Sequence, residues 1–227
     1  MYKIIATAGE QDLKNLSIYD TTEIDILEVR LDLCSKKYIK EDLIDTLKSW
    51  KKSLLFTYRA KEDSSEKKHT ALKYEYIAFI LDFFNSSSNF IDIDINREDS
   101  LLKNIQSSLY TTIFSYHDFS GYPSEDKIIS FIESIQSKNG RSSNIYKFAV
   151  IPPSLEGDIK FLEIGKKLSA KYNMILIIMG ERGMHTRVYG DLYGSHFTYS
   201  CLDEPRAPGQ IKSKDIRKLR KISGLDQ

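Results

Sequence analysis

Cysteine is nearly missing from this 227-residue chain, which has two, Cys34 and Cys201. A disulfide framework is therefore not expected, and a reducing cytoplasm is the expected setting. Glycine (11) and proline (5) are sparse, and no low-complexity linker divides the chain, which reads as one domain over 1–227. Neither sign of charge prevails: 33 basic and 32 acidic side chains leave a net charge of +1. That balance argues against nucleic acid or a membrane surface as partner, since both require a basic face. The longest apolar run, Met174 to Met179, is far short of the roughly 20 residues that span a bilayer. The opening Met1-Tyr2-Lys3 passes straight into Ile4-Ile5-Ala6 without the features of a signal peptide, so export is not expected. No two histidines have metal-ligand spacing and the cysteines are far apart, so no metal site is expected.

What the chain does have is alternation. Short runs rich in β-branched and aromatic residues recur at Lys3–Thr7, Asp25–Leu31, Leu54–Arg59, Phe90–Ile95, Thr112–His117, Tyr146–Ile151, Ile175–Met179 and His196–Ser200, each of strand length. Helical spacing lies between them. Leu72, Tyr76, Phe79, Ile80 and Phe83 make one stripe, and Ile128, Ile129, Ile132 and Ile135 another, with Ser124 as its cap. Ile159, Leu162, Ile164 and Leu168 make a third, and Ile216, Leu219 and Ile222 a fourth. Eight strand–helix units at about 28 residues each predict parallel strands with right-handed crossovers, closed into a (β/α)8 TIM barrel. The competing open doubly wound sheet usually carries a glycine-rich turn after its first strand, where this chain has only Ala8-Gly9-Glu10.

A parallel strand is normally covered on both faces, so alternating charge within one is out of place unless it serves something. Side chains two apart share a face. In the second strand Leu27, Val29, Leu31 and Leu33 oppose Glu28, Arg30 and Asp32. In the fourth, Ile91, Ile93 and Ile95 oppose Asp92 and Asp94. Arg59 closes the third strand, His117 ends the fifth and Lys147 lies in the sixth. These charges converge on the strands' C-terminal ends, where barrels of this kind build their sites. Taken singly they are open to a plainer reading. Glu28-x-Arg30 is either a structural ion pair or a ligand site, Asp92 and Asp94 read first as supports for neighbouring cations, and His69, His185 and His196 read as hydrogen-bonded side chains.

Lys147 is harder to place among structural residues, because lysine is almost never buried without a partner or a task. A free lysine is about one part in a thousand neutral at pH 7.4. Burial and nearby arginines lower its pKa, and a fall to about 8 would make about a fifth of the population nucleophilic. Such an amine attacks a carbonyl to give a Schiff base, and His117 on the adjacent strand is the natural proton shuttle.

The sequence resembles type I 3-dehydroquinate dehydratase along nearly its whole length. The resemblance is carried by Asp25-Ile26-Leu27-Glu28-Val29-Arg30-Leu31-Asp32, Phe56-Thr57-Tyr58-Arg59, Ser115-Tyr116-His117-Asp118-Phe119 and Tyr146-Lys147-Phe148-Ala149. It continues through Met179-Gly180-Glu181-Arg182-Gly183, Arg187, Tyr193-Gly194-Ser195 and Ala207-Pro208-Gly209-Gln210-Ile211. It implies conversion of 3-dehydroquinate to 3-dehydroshikimate and water, in the shikimate pathway towards aromatic amino acids, with no cofactor. Lys147 matches the imine-forming lysine, His117 the general acid/base, and Glu62 a carboxylate that supports the histidine. Glu28, Arg30 and Arg59 match groups that hold the ring hydroxyls and shape the pocket. Arg187 matches the partner of the substrate carboxylate and Gln210 a residue of the closing loop, with Thr7 a weaker match. Proline and glycine in Glu204-Pro205-Arg206-Ala207-Pro208-Gly209 suggest a hinged lid, and the resemblance also implies a homodimer. Arg206 departs from the small or amide residue of relatives, and reads as solvent-facing, with a second carboxylate contact as the alternative. The short start also omits a strand extension that some relatives place under the barrel.

Two rivals remain on sequence alone. A class I aldolase would share the lysine but should carry a glycine-rich phosphate site after the seventh and eighth strands, where this chain has Arg187 and Gln210. A barrel that merely senses a shikimate-like acid would have no reason to keep both Lys147 and His117.

Overall fold

A computed structural model describes residues 2–59, 70–72, 74–95, 108–139 and 141–226. Eight strands form one sheet: β1 (Lys3–Ala8), β2 (Ile26–Arg30), β3 (Ser53–Thr57), β4 (Phe90–Asp94), β5 (Thr111–Asp118), β6 (Ile145–Val150), β7 (Asn173–Ile178) and β8 (Phe197–Cys201). Neighbours pair in parallel in the order β8-β1-β2-β3-β4-β5-β6-β7. At the seam between β7 and β8, Met174 bridges to Ser195 and the His196 N–H donates to the Met174 carbonyl at 3.0 Å. The result is a single, nearly closed (β/α)8 barrel, as the alternation predicts.

Two apolar layers hold it. Ile5, Ile26, Leu55, Ile113, Ile145, Ile175 and Phe197 fill the barrel's interior towards the strand starts. Leu27, Val29, Phe56, Ile93, Phe114, Phe148 and Leu176 face outward onto the helices. Period-two alternation thus splits each strand between the two layers. Towards the strand ends the inward positions turn polar: Thr7 stands beside Glu28, Thr57 beside Asp92, Asp94 beside Ser115, and Ser115 beside Lys147. The second strand stops at Arg30, where Leu31–Leu33 wind into a 3-10 turn instead of extending it.

The described helices are α1 (Glu10–Lys14), α2 (Lys36–Glu41), α3 (Leu43–Lys48), α4 (Tyr74–Phe83), α5 (Glu125–Asn139), α6 (Leu155–Leu168), α7 (Met184–Tyr189) and α8 (Ser213–Ile222). The α5 stripe is as expected, with Ile128, Ile132 and Ile135 buried and Ser124 Oγ accepting from the Lys127 N–H. Three other stripes need correction. In α4 the buried residues are Ile77, Ile80 and Leu81, whereas Phe79 and Phe83 are exposed. That helix is apolar on most sides, so several stripes fit its sequence. In α6 Ile159 lies in solvent and Phe161 takes a place in the core. In α8 Ile216 is buried but Leu219 and Ile222 are exposed, and Arg217 and Arg220 face inward. Carboxylates waiting at the barrel's lower end, described below, make that charged face the one that packs. Among the described residues no helix is long and apolar enough to cross a membrane.

Candidate active site

A cavity of about 550 Å3, including the water-filled mouth, opens at the C-terminal ends of the strands. Thr7, Glu28, Arg30, Arg59, His117, Lys147, Arg187, Arg206 and Gln210 line it together with Phe119, Met179 and Tyr199. Apart from Glu62, every candidate drawn from the sequence is therefore in one place. Glu62 lies outside the described residues, as does His69. Of the other two histidines, His185 bonds the Arg182 carbonyl and His196 is exposed.

Lys147 is 5 % exposed. Its Nζ donates to Asp92 Oδ2 at 3.1 Å and sits 4.0 Å above the centre of the Tyr199 ring. Burial pushes its pKa below the ordinary 10.5; Asp92 opposes that fall and the Arg59 guanidinium adds to it. Asp92 does not belong to the lysine alone. Its Oδ1 accepts from Arg59 Nη2 at 3.0 Å and from Ser115 Oγ at 2.6 Å. Although burial works against its charge, Arg59 and Lys147 hold its carboxyl well below the usual range.

Arg59 is the hub of the site. Besides Asp92 it reaches Asp94 Oδ2 and Ser115 Oγ, both at 3.1 Å, and His117 Nδ1 at 3.2 Å. His117 Nδ1 is also 3.4 Å from Asp94 Oδ2. Burial first, and the cations Arg59 and Lys147 with it, push the imidazole down to about 3, so that it is neutral at physiological pH. The Asp94 contact acts in the opposite direction without prevailing.

Glu28 is held on the other side of the cavity by two hydroxyls, Thr7 Oγ1 at 2.6 Å and Thr57 Oγ1 at 2.7 Å. Arg30 forms a two-pronged pair with Asp32, Nε to Oδ1 at 2.9 Å and Nη2 to Oδ2 at 2.7 Å. For Glu28-x-Arg30 the two residues thus pair with other partners and not with each other.

The segment 203–210 closes the rim. Gln210 Nε2 donates to Thr7 Oγ1 at 3.2 Å, while its Oε1 receives the backbone N–H groups of Arg206 and Ala207. The Pro208 carbonyl accepts from Arg187 Nη2 at 3.0 Å and from the Gly180 N–H at 3.1 Å. Gly209 has φ +72° and packs on the Gly180 backbone, where a Cβ would collide with the Gly180 carbonyl. Arg206 corrects the expectation of a solvent-facing side chain. Its Nη2 donates to Asp12 Oδ2 at 2.8 Å, and the side chain forms part of the cavity wall. Asp12 is a buried carboxylate at the start of α1 that also caps the Gly9 N–H, and this draws the guanidinium inward.

Arg187, on α7, is 1 % exposed. Its Nη1 donates to the Tyr199 carbonyl at 3.0 Å, and its Nε has no hydrogen-bond partner among the described residues. No carboxylate among them pairs with it. Burial pushes its pKa down to about 10, so it is still a cation at neutral pH. A buried, charged fork without an anion suits a carboxylate ligand.

Sequence reasoning missed Tyr199 as the seat of Lys147 and Met179 as cavity wall. Both are in strands or strand ends already read as apolar, and an apolar inward residue near a rim carries no separate signal.

Fold and site together define a (β/α)8 barrel with a lysine-centred site at its C-terminal rim. Comparison with known proteins makes this specific. The family model for type I 3-dehydroquinase matches residues 3–227, and the chain belongs to that family. It is 32% identical over 207 residues to the 3-dehydroquinate dehydratase of Methanococcus maripaludis strain C6, covering 88% of each chain. It is 28% identical over 226 residues to that of Methanococcoides burtonii, covering 96% of this chain and 93% of the relative. The crystal structure of the 3-dehydroquinate dehydratase from Aquifex aeolicus superposes with a TM-score of 0.74 at 26% identity, over 97% of this chain and 98% of that one.

Proposed function

We propose that this barrel is a 3-dehydroquinate dehydratase, a hydro-lyase of the shikimate pathway, and that it works through an imine on Lys147. The observation that carries the reading is a single one: a buried ε-amine of lowered pKa shares a cavity with an arginine, Arg187, whose charge has no carboxylate partner among the described residues. The amine answers the ketone of 3-dehydroquinate and the guanidinium answers its carboxylate.

In this reading neutral Lys147 adds to C3 and, with loss of water, gives a protonated imine. The imine withdraws electrons from C2, so a proton leaves C2 and the C1–O bond breaks with the hydroxyl departing as water. Hydrolysis returns the amine and releases 3-dehydroshikimate. His117 moves protons during formation and hydrolysis of the imine and at the departing hydroxyl. Glu28, Arg30 and Arg59 meet the ring hydroxyls. The segment tied down by Gln210 and Pro208 shields the imine from bulk water. Glu62 keeps its place as a support for His117 on the resemblance alone. The same resemblance extends the reading to one catalytic unit over the whole chain, a cytoplasmic setting and a homodimer.

The test is chemical trapping. Borohydride added with 3-dehydroquinate should fix a ligand-derived mass on the peptide carrying Lys147. Binding of 3-dehydroquinate with no such adduct would overturn the reading.

A further inference from the structure

Lys147 has neighbours of both signs. Asp92 and Glu28 favour its charge, while burial and the Arg59 guanidinium oppose it. On β5 His117 is neutral at physiological pH, and Asp94 is turned towards Arg59 and that imidazole. On β7 the residue in register with Lys147 is Ile175, which carries no charge. The remaining contact comes from β8, where the centre of the Tyr199 ring lies 4.0 Å from Nζ. Among the described residues the other cation–ring contacts are longer, from 4.6 to 5.9 Å.

Tyr199 is 3 % exposed, and its strand is tied down at this residue by Arg187, which donates to the Tyr199 carbonyl at 3.0 Å. Its hydroxyl has no hydrogen-bond partner among the described residues. Burial first, with Asp92 and Glu28, holds the phenol proton well above the ordinary 10, so the side chain is neutral. What it offers the lysine is therefore the negative face of its ring, and not a hydroxyl or a phenolate.

That face has a use that a hydrogen-bonded partner lacks. When neutral Nζ adds to a ketone, one amine hydrogen and one incoming proton leave with the oxygen as water. One hydrogen and the positive charge stay on the new carbon–nitrogen double bond. An ammonium brings three N–H donors to its partners and the protonated imine brings one. A ring needs no hydrogen to attract a cation, so its hold persists through the change. A second carboxylate in its place would fix the amine in its protonated, unreactive form.

We propose that the ring face of Tyr199 is the seat of positive charge in this site, holding Nζ as the resting ammonium and again as the protonated imine. The second half rests on the functional reading above and deepens it. Tyr199 exchanges no proton and forms no covalent bond.

The test replaces Tyr199 with phenylalanine and with phenylalanines bearing one, two, three and five ring fluorines, which keep the shape while weakening the negative face. Carbon NMR of the 13C-lysine-labelled full chain follows the Lys147 Cε signal with pH, and its loss in Lys147→Met identifies it. Tyr199→Phe should leave the midpoint within about 0.3 pH of the unaltered protein and kcat within about threefold. Each added fluorine should lower the midpoint, by about 1 pH unit in all, because a cation that loses its seat gives up its proton more readily. In the same series kcat should fall by roughly 10-fold. A midpoint that ignores fluorination overturns the proposal, and so does a Tyr199→Phe midpoint as low as that of the fully fluorinated ring. The titration is read without substrate. A missing borohydride adduct would thus remove the functional reading and leave the seat of the ammonium standing, whereas a midpoint indifferent to fluorine would remove the seat alone.

Discussion

Charge is buried at both ends of the barrel, and the two ends treat it differently. At the N-terminal end α8 presents Arg217 and Arg220. Arg217 meets Asp25 at 2.8 Å and Asp226 at 3.1 Å. Arg220 meets Asp191 at 2.9 Å and Asp226 at 3.0 Å, donates to the Val188 carbonyl and stacks on the Tyr2 ring. Each cation there is matched by carboxylates. At the C-terminal end Asp92 is shared between Arg59 and Lys147, and Arg187 meets no carboxylate among the described residues. The lower belt is complete without a ligand and the upper one is not. Buried charge by itself therefore does not mark a site; an unfinished pairing does.

The most severe way to break this comparison is to remove the amine. Lys147→Met keeps a chain of similar length against Tyr199 and leaves Asp92 with Arg59 and Ser115, so the fold should survive while turnover is lost by orders of magnitude. Ordinary turnover in that variant would mean that the nucleophile lies elsewhere. The sign of the pH dependence follows from the lowered lysine pKa. In the unaltered protein kcat/KM should rise with pH as the amine loses its proton, with a midpoint below 10.5. A midpoint at or above that value would mean that burial does not tune the amine.

The upper belt was legible in the sequence because strands alternate strictly. A charged residue with inward parity near a strand's end has few places to go, which is why Glu28, Arg59, His117 and Lys147 stood out. Their division of labour was not legible. That Asp92 serves two cations, or that Asp94 rather than Asp92 faces the imidazole, depends on strand register and side-chain reach. Helix faces were read less well than strands. In α4 nearly every residue is apolar, so spacing could not select Ile77 and Leu81 over Phe79 and Phe83. In α8 the apolar stripe through Leu219 and Ile222 pointed to the wrong face, since Asp25 and Asp191, 192 and 29 residues away, attract Arg217 and Arg220 together with the nearby Asp226. Arg206 was misread for the same reason, its partner Asp12 being 194 residues away.

A milder intervention separates binding from chemistry. Arg187→Ala should raise KM far more than it lowers kcat, with a loss of roughly 2–5 kcal/mol in transition-state binding for one member of a desolvated charge pair. Part of that loss would come through Pro208, which the same guanidinium holds. Steady-state kinetics at several substrate concentrations checks it, and an unchanged KM would mean that the unmatched cation is not the carboxylate's partner.

The lower belt should respond in the opposite manner. Arg220→Met leaves Asp191 and part of Asp226 without their cation, and these carboxylates are partly solvated, so the cost should be about 2 kcal/mol, below that of a fully buried pair. In a chain of this size that corresponds to a fall in Tm of roughly 4–8 °C. The active-site groups keep all their contacts, so kcat and KM should stay within about twofold at temperatures where the variant is folded. Thermal unfolding and kinetics on the same preparation decide the matter. A normal Tm with altered KM would show that the two ends are coupled through the barrel, and the distinction between a finished and an unfinished belt would no longer hold.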